Sequence, residues 1–572
     1  MKTNKQVIRI TTLILVLGVS LLVPSLGFGG GNRASGGSAQ TQAPAQSGNY
    51  SETGMLNFNM STGYGSDLLP NPWRSDINGS YNPAIFDRLV CLDTDGMTVI
   101  DKLASSHSVS DDGLTYTFTV RDGVKWHDGQ PLTMDEVVWS IDTYIVAPEA
   151  TYGGIIGLIE GSDKLRDGSA TTCSGISVSG NRLTIKLSAP RSDFLAYLGH
   201  VYILPKHQLA NKNRLLLSRD SEFMTWHIGT GPYKMKETNF PSYFIIERND
   251  DYWGPKAGVK TIKYTSYVIG GIDAMTADLI AGSLDQASGG EMNDINRANS
   301  IVNSNPDISI KMIPGFYNRL FTFNTTGASD GRYNTDMMKP AVWQALNLLI
   351  DKEGVAKFYP GQAVPLTTFV NPGSPFYNID IPPHKRDVAT ARKMLQDAGF
   401  DFNRSIRLCT YYSGQDTADL LEFVKQNFAE AGVKLDWFLI IGDEDIFQFE
   451  VMNWDMGYNA YAGAIDAMGA YMWFDSSREI INAISRNFDR ERVIFHTLYN
   501  EFYQTYDPNR KTELINQIQV EGMKHMQAIP LYSLNRINVT NTAKLYQPPE
   551  LYNLDMFEFF DMKFESWRLM KP

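Results

Sequence analysis

The stretch VRDGVKWHDGQPLTMDEVVWSI, residues 120–141, sets Trp126, His127 and Asp128 side by side in a chain with eight histidines. An imidazole next to a carboxylate invites a catalytic reading. The surrounding residues point elsewhere. Arg121-Asp122-Gly123 and His127-Asp128-Gly129 both read as tight turns ending on glycine, where a positive φ costs no Cβ clash. Thr133-Met134-Asp135-Glu136 then spells a capping box, with Leu132 and Val137 spaced as a hydrophobic staple, so a helix starts there. Turn, turn and cap in succession are the marks of scaffold, and His127 is expected to serve stability.

Other boundaries along the chain are equally clear. Asp387 is placed to cap a helix through Ala398 that Gly399 ends, and Asp507-Pro508 starts another toward Met526. Leu420, Val424, Phe428 and Ala431 share one helical face, Gly432 stops that helix, and Val433 to Trp437 alternates as a strand. A strand over Ser405 to Tyr411 precedes them, so strand, helix and strand predict a parallel α/β sheet. Leu114 to Val120 and Arg182 to Leu187 alternate in short pieces and predict small antiparallel sheets in the first half.

At 572 residues the chain exceeds what one core serves, and 43% apolar with 20% charged residues is an ordinary globular composition. A net charge of −12 and the lack of basic runs argue against a nucleic-acid or anionic-lipid partner. The 10 Trp, 28 Tyr and 29 Phe supply more rings than cores obviously need, and rings are economical recognition surfaces. Lys2, Lys5 and Arg9 precede an apolar run from Leu13 to Val23 and a small-x-small pattern at Ser25-Leu26-Gly27, so residues 1–27 read as a secretory signal peptide. Residues 28–50, rich in Gly, Ser, Ala and Gln, read as a flexible linker. The first cysteine is Cys91, which argues against a lipoprotein; with Cys173 and Cys409 it permits one disulfide at most and no short-spaced metal site.

Enzyme motifs are missing. No HExxH, GxSxG, phosphate-binding glycine loop or GxGxxG occurs, and the histidines at 107, 127, 200, 207, 227, 384, 496 and 525 lack ligand spacing. No cofactor and no metal are expected.

Read in order, the opening stretch closely resembles the signature of the family 5 extracellular solute-binding proteins, the dipeptide, oligopeptide and nickel type receptors of ABC importers. Further pieces follow in the family's order. They are Gly229-Thr230-Gly231-Pro232-Tyr233, Arg248-Asn249-Asp250-Asp251-Tyr252-Trp253-Gly254, Ala281-Gly282-Ser283-Leu284-Asp285, Phe323-Asn324-Thr325, and Val342-Trp343-Gln344-Ala345-Leu346-Asn347 with Ile350-Asp351-Lys352-Glu353. Ala391 to Gly399 and Glu430-Ala431-Gly432-Val433 complete the set, and the resemblance spans residues 56 to 570.

The resemblance implies an α/β, two-lobed periplasmic-binding-protein fold of type II and of the large cluster, with an extra subdomain and two hinge crossings. Lobe I would take residues 51–320, including a small antiparallel subdomain at 96–228, and 531–572; lobe II would take 321–530. The chain would enter lobe II near Phe321 and return near Ile529 to Tyr532. Such a receptor closes on a solute, a peptide or an oligosaccharide, and hands it to the permease of an ABC transporter. It would work outside the cytoplasm, as a monomer and without catalysis. The readings that compete are a secreted hydrolase on the same scaffold and a receptor presenting its ligand to a chemosensor.

Peptide-binding members pair the ligand amine with an aspartate in a loop after a lobe II strand. Asp466 matches that position, although Ala467 stands where proline is usual and Ala460 where an earlier acid often lies. The arginine that dipeptide receptors direct at the ligand carboxylate has no counterpart in Tyr411 to Thr417. Trp454, Tyr458, Tyr461, Tyr471 and Trp473 offer rings for stacking and Asn459 an amide, while Tyr64 and Tyr81 lie where the first strand and helix face the cleft.

Overall fold

The computed structural model describes residues 50–571 except 61–70, 74–79, 97, 149, 151–152, 268–270, 288–293, 316, 325–334, 375, 441–453, 463–488, 526–527 and 553–559. The signal-peptide and linker readings lie outside the described residues, apart from Tyr50.

Both turns of the opening stretch form, with φ of 75° at Gly123 and 87° at Gly129. Thr133 Oγ1 accepts from the Glu136 amide at 3.3 Å while Glu136 Oε2 accepts from the Thr133 amide at 2.9 Å. This capping box opens the helix Met134–Val146, which buries Val137, Ile141, Tyr144 and Ile145 on one face. The preceding strand, Thr115–Val120, buries Tyr116, Phe118 and Val120 in alternation. It sits in a four-stranded antiparallel sheet ordered Ala104–Val109, Thr115–Val120, Arg182–Lys186, Ile176–Ser179.

A seven-stranded mixed sheet is ordered Ile308–Ile313, Arg536–Asn541, Gln286–Ala287, Met55–Asn59, Thr261–Thr265, Tyr243–Arg248, Tyr233–Asn239. Met55–Asn59 runs parallel to Thr261–Thr265 and to Gln286–Ala287. Arg536–Asn541 runs antiparallel to Gln286–Ala287 and Ile308–Ile313.

A six-stranded sheet is ordered Ala363–Pro365, Ala528–Leu534, Tyr317–Phe323, Met456–Ala462, Ser405–Thr410, Lys434–Leu439. Ser405–Thr410 and Lys434–Leu439 are parallel and are joined by the helix Gln415–Ala429, as the strand, helix, strand reading required. Leu420, Val424 and Phe428 of that helix pack with Phe321, Phe323, Met456 and Tyr458 on one face of the sheet. Leu320 faces the other side, with Phe369, Tyr499, Phe502, Tyr503, Leu514 and Ile518. The result is a two-lobed α/β fold with a separate core in each lobe.

The chain leaves the seven-stranded sheet at Ile313, joins the six-stranded sheet at Tyr317, and returns through Asn535 between Leu534 and Arg536. Phe321 and Ile529, near the crossings anticipated from sequence, pair with each other inside the six-stranded sheet. Cys91, Cys173 and Cys409 are buried and free. Burial pushes the Cys91 thiol up to about 11 and the Cys173 thiol to about 12, so both stay protonated.

Candidate functional site

Strand direction locates the site before any side chain does. In the seven-stranded sheet, Met55–Asn59, Thr261–Thr265, Gln286–Ala287 and Ile308–Ile313 all run toward the end where Arg536–Asn541 begins. In the six-stranded sheet, Ser405–Thr410, Lys434–Leu439, Met456–Ala462 and Ala528–Leu534 all run toward the end where Tyr317–Phe323 begins. Both crossings, from Ile313 to Tyr317 and through Asn535, therefore link the edge at which these strands end in one sheet to the corresponding edge of the other. Ligands of open α/β sheets bind at such ends, where loops diverge and backbone groups are left to be satisfied.

Among the described residues, the six-stranded side of this edge is aromatic and carries the Arg319 guanidinium. Tyr411 and Tyr412 follow Thr410 with their rings 4.2 Å apart and their hydroxyls 2.7 Å apart. The Arg319 guanidinium lies 4.1 Å from the centre of the Tyr412 ring, a cation–π contact that fixes its plane. Behind them Tyr359 donates to Asp416 Oδ2 at 2.6 Å, and the Tyr458 and Tyr532 hydroxyls meet at 2.5 Å. Asp416 sits in the first turn of Gln415–Ala429, where a carboxylate suits the helix dipole. Burial pushes the Tyr458 phenol up to about 12 and also raises Tyr359, so these hydroxyls stay protonated. The edge can stack on a ligand, donate hydrogen bonds and hold a negative group.

Arg319 is a residue that the sequence reading missed. The segment Tyr411 to Thr417 contains no cation in sequence, but the strand Tyr317–Phe323 brings one over it. Sequence carried a faint signal: in YNRLFTF, Arg319 occupies the same alternate phase as Phe321 and Phe323, which face the core. An arginine in that phase near a strand end marks a cation held at the edge of a core.

The other anticipated residues divide. Tyr461, paired with Asn318 by backbone register, lies near the carboxyl end of its strand and so at the edge. Tyr458 and Asn459 come earlier in that strand and are buried on opposite faces. Tyr458 packs in the core beside Phe321. The Asn459 amide reaches Thr322 Oγ1 at 3.4 Å, and its Oδ1 has no partner among the described residues. Trp454 precedes the strand's amino end and packs with Cys409 in a small cluster that Tyr411, Phe438 and Ile440 flank. Tyr81 is buried in the lobe I core, with its hydroxyl 3.0 Å from His227 Nδ1. The rings of Trp454, Tyr458 and Tyr81 thus serve packing here. Asp466, Tyr471, Trp473 and Tyr64 lie outside the described residues.

The opening stretch is no part of this edge. His127 Nδ1 accepts from the Gly229 amide at 3.1 Å, and Nε2 faces the Gly231 carbonyl at 3.1 Å. Burial holds this imidazole down to about 4, a neutral group with both nitrogens used. The Asp128 carboxylate accepts from His207 Nε2 at 2.9 Å and the Gln130 amide at 3.1 Å. Trp126 donates to Glu136 Oε2 at 3.0 Å. These partners hold the turns to one another, to the helix start at Glu136 and to the loop at Gly229 and Gly231.

Known proteins resemble this chain in family and in fold. Residues 98–478 match the family model for bacterial extracellular solute-binding proteins, family 5, middle region. The glutathione-binding protein GsiB of Pectobacterium atrosepticum is 25% identical over 385 residues, 65% of this chain and 66% of that protein, so the alignment spans about two thirds of the relative. The oligopeptide-binding protein OppA of Bacillus subtilis is 22% identical over 545 residues, 91% of this chain and 93% of that protein. In fold, the ABC transporter substrate-binding protein CtaP of Listeria monocytogenes superposes with a TM-score of 0.74 at 20% identity, covering 91% of this chain and all of that one.

Proposed function

This chain belongs to the bacterial extracellular solute-binding proteins of family 5, and on that premise we propose that it is an extracytoplasmic receptor that closes on a peptide and delivers it to an ABC importer permease. The observation that carries the reading is the double crossing that links the carboxyl-end edge of one sheet to that of the other. A ligand held there touches both lobes, so its binding energy favours the closed arrangement. Lobe I takes residues 51–320 and 531–572 and lobe II takes 321–530; sheet membership favours moving the exchange to 314–316 and Asn535. Residues 1–27 act as the export signal, and the receptor is a monomer that catalyses nothing.

Peptide is preferred over oligosaccharide because named relatives bind glutathione and oligopeptides. The mixture of rings, phenol donors and a guanidinium at the edge also fits a backbone with a terminal carboxylate. In this reading Arg319 meets the ligand carboxylate, Asp466 meets its amine, and Tyr411, Tyr412, Tyr461, Tyr471, Trp473 and Tyr64 supply contact area. A charge-assisted bond at either end contributes about 1.5–3 kcal/mol.

A thermal-shift screen with short synthetic peptides and with malto-oligosaccharides tests the proposal. At a hundredfold excess over Kd a true ligand stabilises by about 2.7 kcal/mol, which moves Tm visibly. A rise with peptides supports the reading, a rise with sugars alone reassigns the solute, and no rise with either contradicts it.

A further inference from the structure

Apart from the two crossings, the four-stranded sheet touches the helical layer of the other lobe. Tyr116, on the strand Thr115–Val120, belongs to the lobe I core and packs on Phe194 at 4.9 Å. Its hydroxyl lies 2.9 Å from that of Tyr506 and donates to the Arg191 carbonyl at 2.8 Å. Tyr506 follows the helix Asp489–Gln504, whose Phe502 and Tyr503 belong to the core behind the six-stranded sheet. The Tyr506 hydroxyl also reaches the Gly113 carbonyl at 3.1 Å.

A second strand of contacts runs beside the first. The Ser192 amide donates to the Tyr503 carbonyl at 2.7 Å, and the Arg191 guanidinium lies 3.5 Å from the Tyr503 ring centre. Arg191 is itself held by both Asp193 oxygens, at 2.6 and 3.0 Å. A Cβ at Gly113 would stand 2.5 Å from the Tyr506 ring, so the ring seats directly on bare backbone. Residues from two separate cores thus meet through backbone hydrogen bonds, paired phenols and a stacked cation, a more polar contact than the cores behind it and of the kind expected between lobes that move relative to one another.

Resting on the receptor reading above, we propose that Tyr116, Arg191 and Ser192 with Tyr503 and Tyr506 form a latch between the lobes, which makes and breaks as the receptor closes and opens. The latch adds free energy to the closed arrangement independently of the solute. It therefore sets how much of the protein is closed before ligand arrives, and so the apparent affinity for every solute. Tyr506 acts as a positioning residue: it touches no ligand but biases the state that binds.

Because Cys91, Cys173 and Cys409 are buried, spin labels can be placed selectively on Ser106→Cys in the four-stranded sheet and Gln517→Cys in the helix Pro508–His525. Distance distributions are then measured by pulsed electron paramagnetic resonance on the ligand-free, full-length mature protein. The expected result is that Tyr506→Ala moves population from a short to a longer distance, that Tyr506→Phe does so less, and that Tm stays near that of the parent. An unchanged distribution in Tyr506→Ala with its fold intact overturns the latch. So does a longer distance accompanied by the same Tm loss in Tyr506→Phe and Tyr506→Ala, which would mark a permanent structural joint. Should Tyr506→Ala fail to fold, Tyr506→Phe and Tyr116→Phe each remove the paired hydroxyl and decide the question. Failure of the receptor reading would show separately, as no response of the parent protein to any peptide.

Discussion

His127 lies with its Nε2 3.1 Å from the carbonyl oxygen of Gly231, a residue 104 positions further along the chain. With the Gly229 amide donating to Nδ1, the contact ties the opening turn to the loop that packs on Ile85. It explains why a pair that looks catalytic in sequence belongs to the scaffold.

Replacing His127 by Ala strips the buried Gly229 amide and Gly231 carbonyl of this partner. The expected cost is about 2–4 kcal/mol in urea unfolding at neutral pH, with peptide affinity unchanged in the folded fraction. Loss of affinity without loss of stability would return His127 to the site.

Gly229 and Gly231 face backbone. A Cβ at Gly229 would stand only 1.9 Å from the Ile85 carbonyl oxygen, and one at Gly231 2.6 Å from the Ala84 carbonyl oxygen. Gly229→Ala is expected to cost at least about 3 kcal/mol, read by thermal unfolding, and to cost more than Gly154→Ala, where a Cβ meets open space.

How much was legible follows from sequence distance. The capping box at Thr133, the Asp387 cap with its Gly399 stop, and the parallel pair flanking Gln415–Ala429 are decided within a few residues, and all are present. Arg319 over Tyr412 and Tyr116 against Tyr506 are not local: the partners are brought together by strand order and by lobe contact. Counting rings between Trp454 and Trp473 also misses strand phase. Tyr458 turns to one core, Asn459 to the other face, and Trp454 lies before the strand's amino end.

Four imidazoles set the acid limit. Burial holds His127 and His384 down to about 4 and His200 and His227 to about 3, while an unfolded imidazole titrates near ~6.5. As pH falls below the unfolded value, the unfolded chain takes up protons that the native state refuses, so stability present above that value is lost toward pH 4. At about pH 5 each contributes a loss of about 2 kcal/mol relative to neutral pH. His207 has the opposite sign. Burial opposes its protonation, but Glu136 and Asp128 outweigh that and raise it, so its contribution is full below the unfolded value and fades as pH rises through the raised one. Urea midpoints across this range check both: the parent weakens toward pH 5, while the deficit of His207→Gln relative to the parent grows.

At the edge, Arg319→Gln is expected to weaken binding of a free-acid peptide about tenfold or more. The same peptide with an amidated C-terminus should bind parent and variant alike. Calorimetric titration of both forms separates carboxylate recognition from lost packing on Tyr412, since packing loss would weaken both equally.

The central claim, a receptor that holds a peptide between two lobes, is tested most directly by native mass spectrometry of the mature protein purified without refolding. The expected result is a bound species released on collisional activation whose fragments form a peptide sequence, displaced by added synthetic peptide. A bound hexose series, or a bare protein that takes up nothing from a peptide pool, would contradict it.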